Sequence, residues 1–513
     1  MPIFFSERMV PSPAAASRYT ALFPSREPVN TQILFSVTAI GKIPLWNAKC
    51  PAAIPGGRPR IYIPDFAARK GLKPNIFPEP SRRGNLACYD PALSQNGPPA
   101  PALRFVPEKG RPDETERGAI SMAAPLEGVK VLDLTRLIVG GFYGMLLADA
   151  GAEVVKVEVP GRGDTLRAWK PSWWKVYGRG KKSMTLALNR PAGQEILKEL
   201  ASKADVLAEN FFPGKLESWG LSPEELHEIN PRLVIVRISG WGQDGPYRDR
   251  PGFGTLVEAA SGFSAINGFP DSPPLLPPIP IADMTAGLYG VSSTMFALYH
   301  RDALGGGKGQ VIDLALYEPL FTIIGPYAAE FALSGKKYGR TGNLSENSSP
   351  RNCYPTKDGR WIAISASTQP MFERLAICLD RSDLIPNPRF ESNNARVANN
   401  PALDEIVAGE IRTRSCEENM RRFTEGGVTA MPVYDIEDIL ADPHFQAREL
   451  VKNIPDPDFG EVPMQNVTPR MSKTPLDIRW TGPPLGAHTD EILSSWIGIG
   501  PDRAGELRSE GII

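Results

Sequence analysis

The chain has 513 residues, 42% of them apolar, and a formal net charge of −1. That length suits two or three domains with sizeable cores, and the near-neutral balance argues against a polyanion as the main partner. No apolar run approaches the roughly 18 to 20 residues that cross a bilayer. The five scattered cysteines (Cys50, Cys88, Cys353, Cys378 and Cys416) form no CxxC pair, so a soluble intracellular protein with reduced thiols is expected.

In chain order, residues 1–121 stand apart. Residues 1–120 hold 19 prolines and a net charge of +7, against −8 for the remainder. Such sequence buries too little apolar surface to offset chain entropy. A disordered or dispensable extension is expected, with one isolated strand candidate at Gln32–Val37. Its Arg-rich, acid-poor start leaves a mitochondrial transit segment as the alternative to a cytoplasmic protein organised from Met122 onward.

From Met122 the pattern is α/β. Val129–Leu134 and Glu153–Glu158 read as strands, joined by a small-residue helix through Gly140, Gly141 and Gly144. A strand at Met184–Leu188, a helix over Ala192–Ser202 and a strand at Asp205–Glu209 follow; the helix Pro223–Ile229 then leads to a strand at Leu233–Ile238. The alternation predicts a doubly wound parallel sheet, with ligands beyond the carboxyl ends of its strands. Met284, Leu288, Val291, Met295 and Leu298 then recur at helical spacing. This puts Asp283 at a helix start, where unpaired N–H groups favour the charged form. A carboxylate held there can cap the helix, or it can attack an activated acyl group.

Common catalytic signatures are missing. The turn Thr135-Arg136-Leu137-Ile138-Val139-Gly140-Gly141 lacks GxGxxG spacing, so neither nicotinamide nor flavin is expected. There is no GxxxxGK[ST] and no GxSxG, and the four histidines (His227, His300, His444, His488) show no metal-ligand spacing, so no metal is expected either. What remains is a basic stretch. Lys156, Arg162, Arg167, Lys170, Lys175, Arg179, Lys181 and Lys182 face only Glu158 and Asp164, with Trp169, Trp173, Trp174 and Tyr177 interleaved. Cations and flat rings suit a small phosphorylated ligand; a solvated loop with core tryptophans is the plainer alternative. The acidic balance of this part of the chain disfavours nucleic acid.

Longer motifs sharpen the choice: Leu126-Glu127-Gly128-Val129-Lys130-Val131-Leu132-Asp133-Leu134, Leu146-Leu147-Ala148-Asp149-Ala150-Gly151-Ala152-Glu153-Val154, Gly178-Arg179-Gly180-Lys181-Lys182-Ser183, Glu209-Asn210-Phe211-Phe212-Pro213-Gly214, Ser239-Gly240-Trp241-Gly242-Gln243-Asp244-Gly245-Pro246-Tyr247, and Pro280-Ile281-Ala282-Asp283-Met284-Thr285-Ala286-Gly287. With these, residues 126–320 closely resemble the family III CoA-transferases, the group of formyl-CoA and carnitine CoA-transferases that also contains alpha-methylacyl-CoA racemase. Weaker similarity runs to about residue 490.

The resemblance implies a Rossmann-like CoA-binding large domain over 122–340, a smaller α+β domain over 341–437, and a segment 438–513 that returns to the large domain. It also implies an interlocked homodimer, with Asn343–Arg351 near the site. Asp283 matches the catalytic aspartate, which would carry CoA from an acyl-CoA donor to an acceptor carboxylic acid through an aspartyl anhydride and an aspartyl-CoA thioester. By the same resemblance Lys181 and Lys182 should meet CoA phosphates, Asn210 and Phe211 should line the nucleotide site, and Arg136 lies in the first strand-end loop. The helix start is expected to keep Asp283 ionised. Departures from the pattern are Ile138 in place of a glutamine and Ser218 in place of an arginine, and the segment Leu344–Asn352 replaces a glycine run. An acyl-CoA racemase on the same fold needs a base pair; the corresponding positions read Gly252-Phe253-Gly254 and Gln369-Pro370-Met371-Phe372, and neither phenylalanine nor glutamine exchanges a proton. A non-catalytic acyl-CoA-binding protein is the remaining alternative.

Overall fold

The computed structural model describes residues 124–513; the Pro-rich extension, its strand candidate Gln32–Val37, Cys50 and Cys88 lie outside the described residues. Six parallel strands form the central sheet: β1 (Lys130–Asp133), β2 (Glu153–Glu158), β3 (Lys182–Thr185), β4 (Val206–Glu209), β5 (Val234–Ser239) and β6 (Val311–Ala315), in the order β3-β2-β1-β4-β5-β6. The order reverses between β1 and β4, which opens a crevice at their carboxyl ends. β3 starts two residues before the expected Met184, because Lys182–Thr185 pairs with Val155–Glu158 and the chain then turns so that Ala187 N–H donates to Ile512 O.

Alternation along the strands splits two cores. Val131, Val154, Val206 and Val234 point to the side of the helices Leu137–Asp149 and Ile281–Asp302. Leu132, Val155, Leu207 and Ile235 point the other way, where residues of the helices Pro191–Ala201, Pro223–Ile229, Thr489–Ile497 and Pro501–Ser509 cover them, together with Ile512 and Ile513. A parallel sheet with both faces covered reads in sequence as nearly continuous Val, Ile and Leu.

The helix Ile281–Asp302 buries a line of small residues together with Leu298 of its predicted apolar set, and leaves Leu288 of that set outside. Ala282, Ala286, Gly287, Gly290, Thr294 and Ala297 face inward, whereas Leu288 is 50% exposed and Phe296 72%. The reason is close helix packing: a Cβ on Gly287 would come within 2.9 Å of Phe142 Cδ1 on the helix Leu137–Asp149. Val291 and Met295 are half-buried at the edge of the same core.

A second core, built on Tyr354, Phe372, Leu403 and Phe423, lies against the antiparallel strands β7 (Arg351–Pro355), β8 (Trp361–Ser365) and β9 (Ala430–Pro432). After the hairpin β10 (Val451–Asp456) and β11 (Gly460–Gln465), the chain runs back to the first sheet. There Arg479 Nη2 donates to Ala152 O at 2.7 Å and Trp480 Nε1 to Lys181 O at 2.9 Å. Among the described residues no helix is long and apolar enough to cross a membrane.

Candidate active site

Asp283 is the third residue of its helix and is half-buried. It lines a cavity of about 330 Å³ with Arg136, Val139, Asn210, Phe211, Phe253 and Gly254. Two loops meet to make this space. At one, Gly240 and Gly252 approach so closely that a Cβ on Gly240 would sit 2.7 Å from Gly252 Cα. At the other, Leu137 adopts a left-handed backbone (φ 60°), an unusual conformation for a branched side chain. Asp164 holds it there: its Oδ1 accepts from Leu137 N–H at 3.1 Å and Leu166 N–H at 2.9 Å.

Helix-start placement does not keep Asp283 in the ordinary carboxylate range. Burial, followed by repulsion from Glu258, pushes its pKa up to about 6; the N–H groups of Asp283 itself and of Val139 pull the other way without prevailing. The expectation of a firmly ionised carboxylate is corrected accordingly, because loss of water outweighs the helix terminus. The residue that precedes this helix, Pro280, offers no capping side chain of its own.

A larger cavity, about 550 Å³, lies at the carboxyl ends of β1 and β2 and beyond the end of β3. It is lined by Lys156, Arg162, Asn189, Lys215 and Trp219, and it shares Arg136 and Phe211 with the Asp283 cavity. Asn210 fixes this common wall by gripping the Arg136 backbone at both ends: Oδ1 accepts from Arg136 N–H at 2.8 Å and Nδ2 donates to Arg136 O at 2.9 Å. The Arg136 guanidinium lies 5.1 Å from the Phe211 ring centre, and Phe211 packs edge-on against Trp219. Burial and the neighbouring Arg162 push the Arg136 pKa below its ordinary value.

Of the residues expected at the site, Asp283, Arg136, Asn210 and Phe211 come together. Lys181 and Lys182 do not join them. The Lys181 ammonium is fully buried beneath the helix Leu137–Asp149, where it donates to Asp133 Oδ2 at 2.9 Å and Gly140 O at 3.2 Å. Burial depresses its pKa, while Lys156 and Lys181 together hold buried Asp133 below its usual range against the opposing effect of burial. Lys182 bridges Glu153 at 2.6 Å and Glu491 at 2.7 Å. The cations that face the larger cavity are instead Arg136, Arg162 and Lys215, with Lys156 in its wall. Arg162 belongs to the basic stretch, and Lys215 follows the Asn210 segment directly; their loop positions are the signal that motif matching overlooked. Nothing in the spacing singled out Glu258.

Trp174 is a core residue: its Nε1 donates to Pro483 O at 2.8 Å and Arg167 stacks 3.6 Å from its ring. Asn343 and Arg351 line a separate cavity of about 530 Å³ against β7–β9. At the racemase positions, Phe253 is 65% exposed, and Gln369 is engaged by Arg396 Nη1 at 2.7 Å and by Glu373 at 3.0 Å. Among the described residues, no three His, Cys, Asp or Glu side chains form a metal-holding group.

Comparison with known proteins gives the family. A succinyl-CoA–D-citramalate CoA-transferase of Chloroflexus aurantiacus is 42% identical over 396 residues, 76% of this chain and 98% of that protein. The Homo sapiens succinyl-CoA:glutarate CoA-transferase is 33% identical, over 76% of this chain and 90% of its own length. A solved CAIB/BAIF family protein from Brucella suis superposes with a TM-score of 0.66 at 32% identity, covering 73% of this chain and all of that one. The sequence profile of CoA-transferase family III matches residues 126–489. The chain is a family III CoA-transferase, an enzyme that takes coenzyme A as a substrate.

Proposed function

We propose that the enzyme moves CoA from succinyl-CoA to a second carboxylic acid by covalent catalysis at Asp283. The observation that carries this reading is a half-buried carboxylate in a cavity that shares Arg136 and Phe211 with a basic cavity at the strand ends. The succinyl-CoA in the names of the relatives supports the choice of donor. In this arrangement Arg136, Arg162 and Lys215 meet the CoA phosphates, Phe211 and Trp219 offer flat surfaces to the base, and the thioester reaches toward Asp283.

An Asp283 oxygen attacks the thioester carbonyl, and the C–S bond breaks to give a mixed anhydride and CoA thiolate. The thiolate attacks the aspartyl carbonyl, releasing succinate and leaving an aspartyl-CoA thioester. The acceptor carboxylate attacks that thioester, and thiolate leaves again. In the last step the thiolate attacks the acceptor carbonyl, which restores the Asp283 carboxylate and forms the new acyl-CoA. No proton is gained or lost over the cycle, so the written steps call for no general acid or base. Dividing the exchange into these steps lowers each barrier. Val139 lines the same cavity as Asp283, and its N–H is our candidate donor to the oxygen of a tetrahedral intermediate.

A homodimer fits the large apolar side chains left outside, among them Phe296, Tyr299 and Leu333, the last 88% exposed. Mass spectrometry of protein incubated with succinyl-CoA and then hydroxylamine tests the chemistry. A hydroxamate on the Asp283 peptide, absent from Asp283→Ala, is expected; CoA binding without any adduct would refute the covalent route.

A further inference from the structure

Glu258 belongs to the helix Gly254–Ala260, whose first residue abuts Asp283, and it is only 3% exposed. Its Oε1 accepts from Ala282 N–H at 3.3 Å; burial pushes its pKa above the ordinary value, and the Ala282 and Ile281 N–H groups pull back toward the ionised form. It therefore occupies the opening of the helix that carries Asp283, as a cap supplied from a neighbouring helix. Among the described residues no lysine, arginine or histidine pairs with Glu258 or with Asp283. The charged groups on adjoining elements are engaged elsewhere: Glu318 accepts from Ala315 N–H at 3.4 Å, Arg237 pairs with Glu209, Arg301 with Asp205 and Asp302, Asp149 with Arg179, Asp313 accepts from Gln243 N–H, and Arg136 lies over Phe211. Tyr143 on the helix Leu137–Asp149 is buried and bonded to Thr294.

A buried and a half-buried carboxyl group thus share one helix start with no ion-paired cation. A structural cap needs no charge, since a glutamine accepts the same N–H. A second negative charge at this point acts on its neighbour, and the charge of Glu258 is the one feature here that packing does not require.

We propose that Glu258 is a positioning residue for the nucleophile: it takes the helix-opening N–H groups, and its own charge keeps the Asp283 carboxylate electron-rich and reactive. The N–H groups that would quiet Asp283 go to Glu258, and the repulsion falls as negative charge leaves Asp283 on acylation. Glu258 thereby favours the acylated states over the free carboxylate. The upward shift of Asp283 agrees in direction. The proposal rests on the covalent reading for its catalytic meaning, but not for its electrostatic content.

The test uses full-length protein carrying 13C at aspartate Cγ, with the Asp283 resonance assigned by its loss in Asp283→Asn. In Glu258→Gln, which keeps the accepting oxygen, the Asp283 titration is expected to move to lower pH by about half a unit or more. The acid limb of kcat/KM for CoA transfer should move with it, and kcat above pH 7 should fall about tenfold with little change in KM. Glu258→Met, of similar length without charge or acceptor, should move the titration the same way if Gln proves poorly folded. An unchanged Asp283 titration in a folded variant overturns the proposal whatever the activity. A shifted titration in a protein that forms no acyl adduct upholds the electrostatic coupling and refutes the covalent function instead.

Discussion

A Cβ built on Gly254 would lie 2.2 Å from Oδ2 of Asp283. Backbone at the start of the helix Gly254–Ala260 is thus pressed against the carboxylate, and one added methyl group would drive Asp283 from its place. Gly254→Ala is expected to lower kcat about 100-fold, since an ångström of misplacement costs on that order, with the thermal midpoint little changed. Steady-state kinetics beside a melting curve checks both halves.

Protonated Asp283 cannot attack a thioester. Its pKa of about 6 therefore predicts that kcat/KM falls tenfold per unit below that pH and levels off above it. A pH profile with succinyl-CoA measures the limb.

The same shift has a stability consequence. A carboxyl whose folded value lies above its unfolded one opposes folding once ionised. The penalty is absent below the unfolded value near 3.8 and grows as pH rises to about 6, where it becomes complete. Asp283→Asn should then stabilise the protein at pH 8 by up to about 3 kcal/mol and have no effect at pH 3.5. Unfolding compared at the two pH values decides it.

Arg162 and Lys215 face the strand-end cavity. Replacing either by alanine should raise KM for succinyl-CoA about tenfold, because a hydrogen bond to a charged group contributes about 1.5–3 kcal/mol. With a succinyl-pantetheine thioester, which has no nucleotide, the loss should vanish. Equal losses with both substrates would show that these cations act on the fold instead.

Lys181 should behave in the opposite way. Its ion pair with Asp133 is fully buried, so Lys181→Ala strands a charge and is expected to cost about 3–5 kcal/mol of stability. Any folded fraction should keep a normal KM for the thioester. Denaturation at neutral pH, together with KM, separates this role from phosphate contact.

Much of this protein was legible in its sequence. Alternating strands and helices between residues 129 and 238 gave the parallel sheet, because a strand buried on both faces leaves an unbroken apolar run. Asp283 stood out at a helix start, and the family resemblance supplied its catalytic reading together with Asn210, Phe211 and Arg136; the structure brings these four to one cavity. The edge strand β6 was missed: Val311 is 41% exposed, so its apolar pattern is weak.

Tertiary structure decided the rest. Whether a lysine meets a phosphate or a buried aspartate depends on what covers it; the glycines of the helix Leu137–Asp149 let Lys181 pass beneath to Asp133. That glycines of the Asp283 helix face inward while Leu288 stays outside was set by how near another helix could come, which its apolar period does not encode. The charge state of Asp283 likewise follows from burial and from Glu258, 25 positions earlier in the chain. Sequence fixes which groups exist and which local structure they prefer. Solvent exclusion and through-space charge arise only when distant segments meet, and those two effects determine what the groups can do.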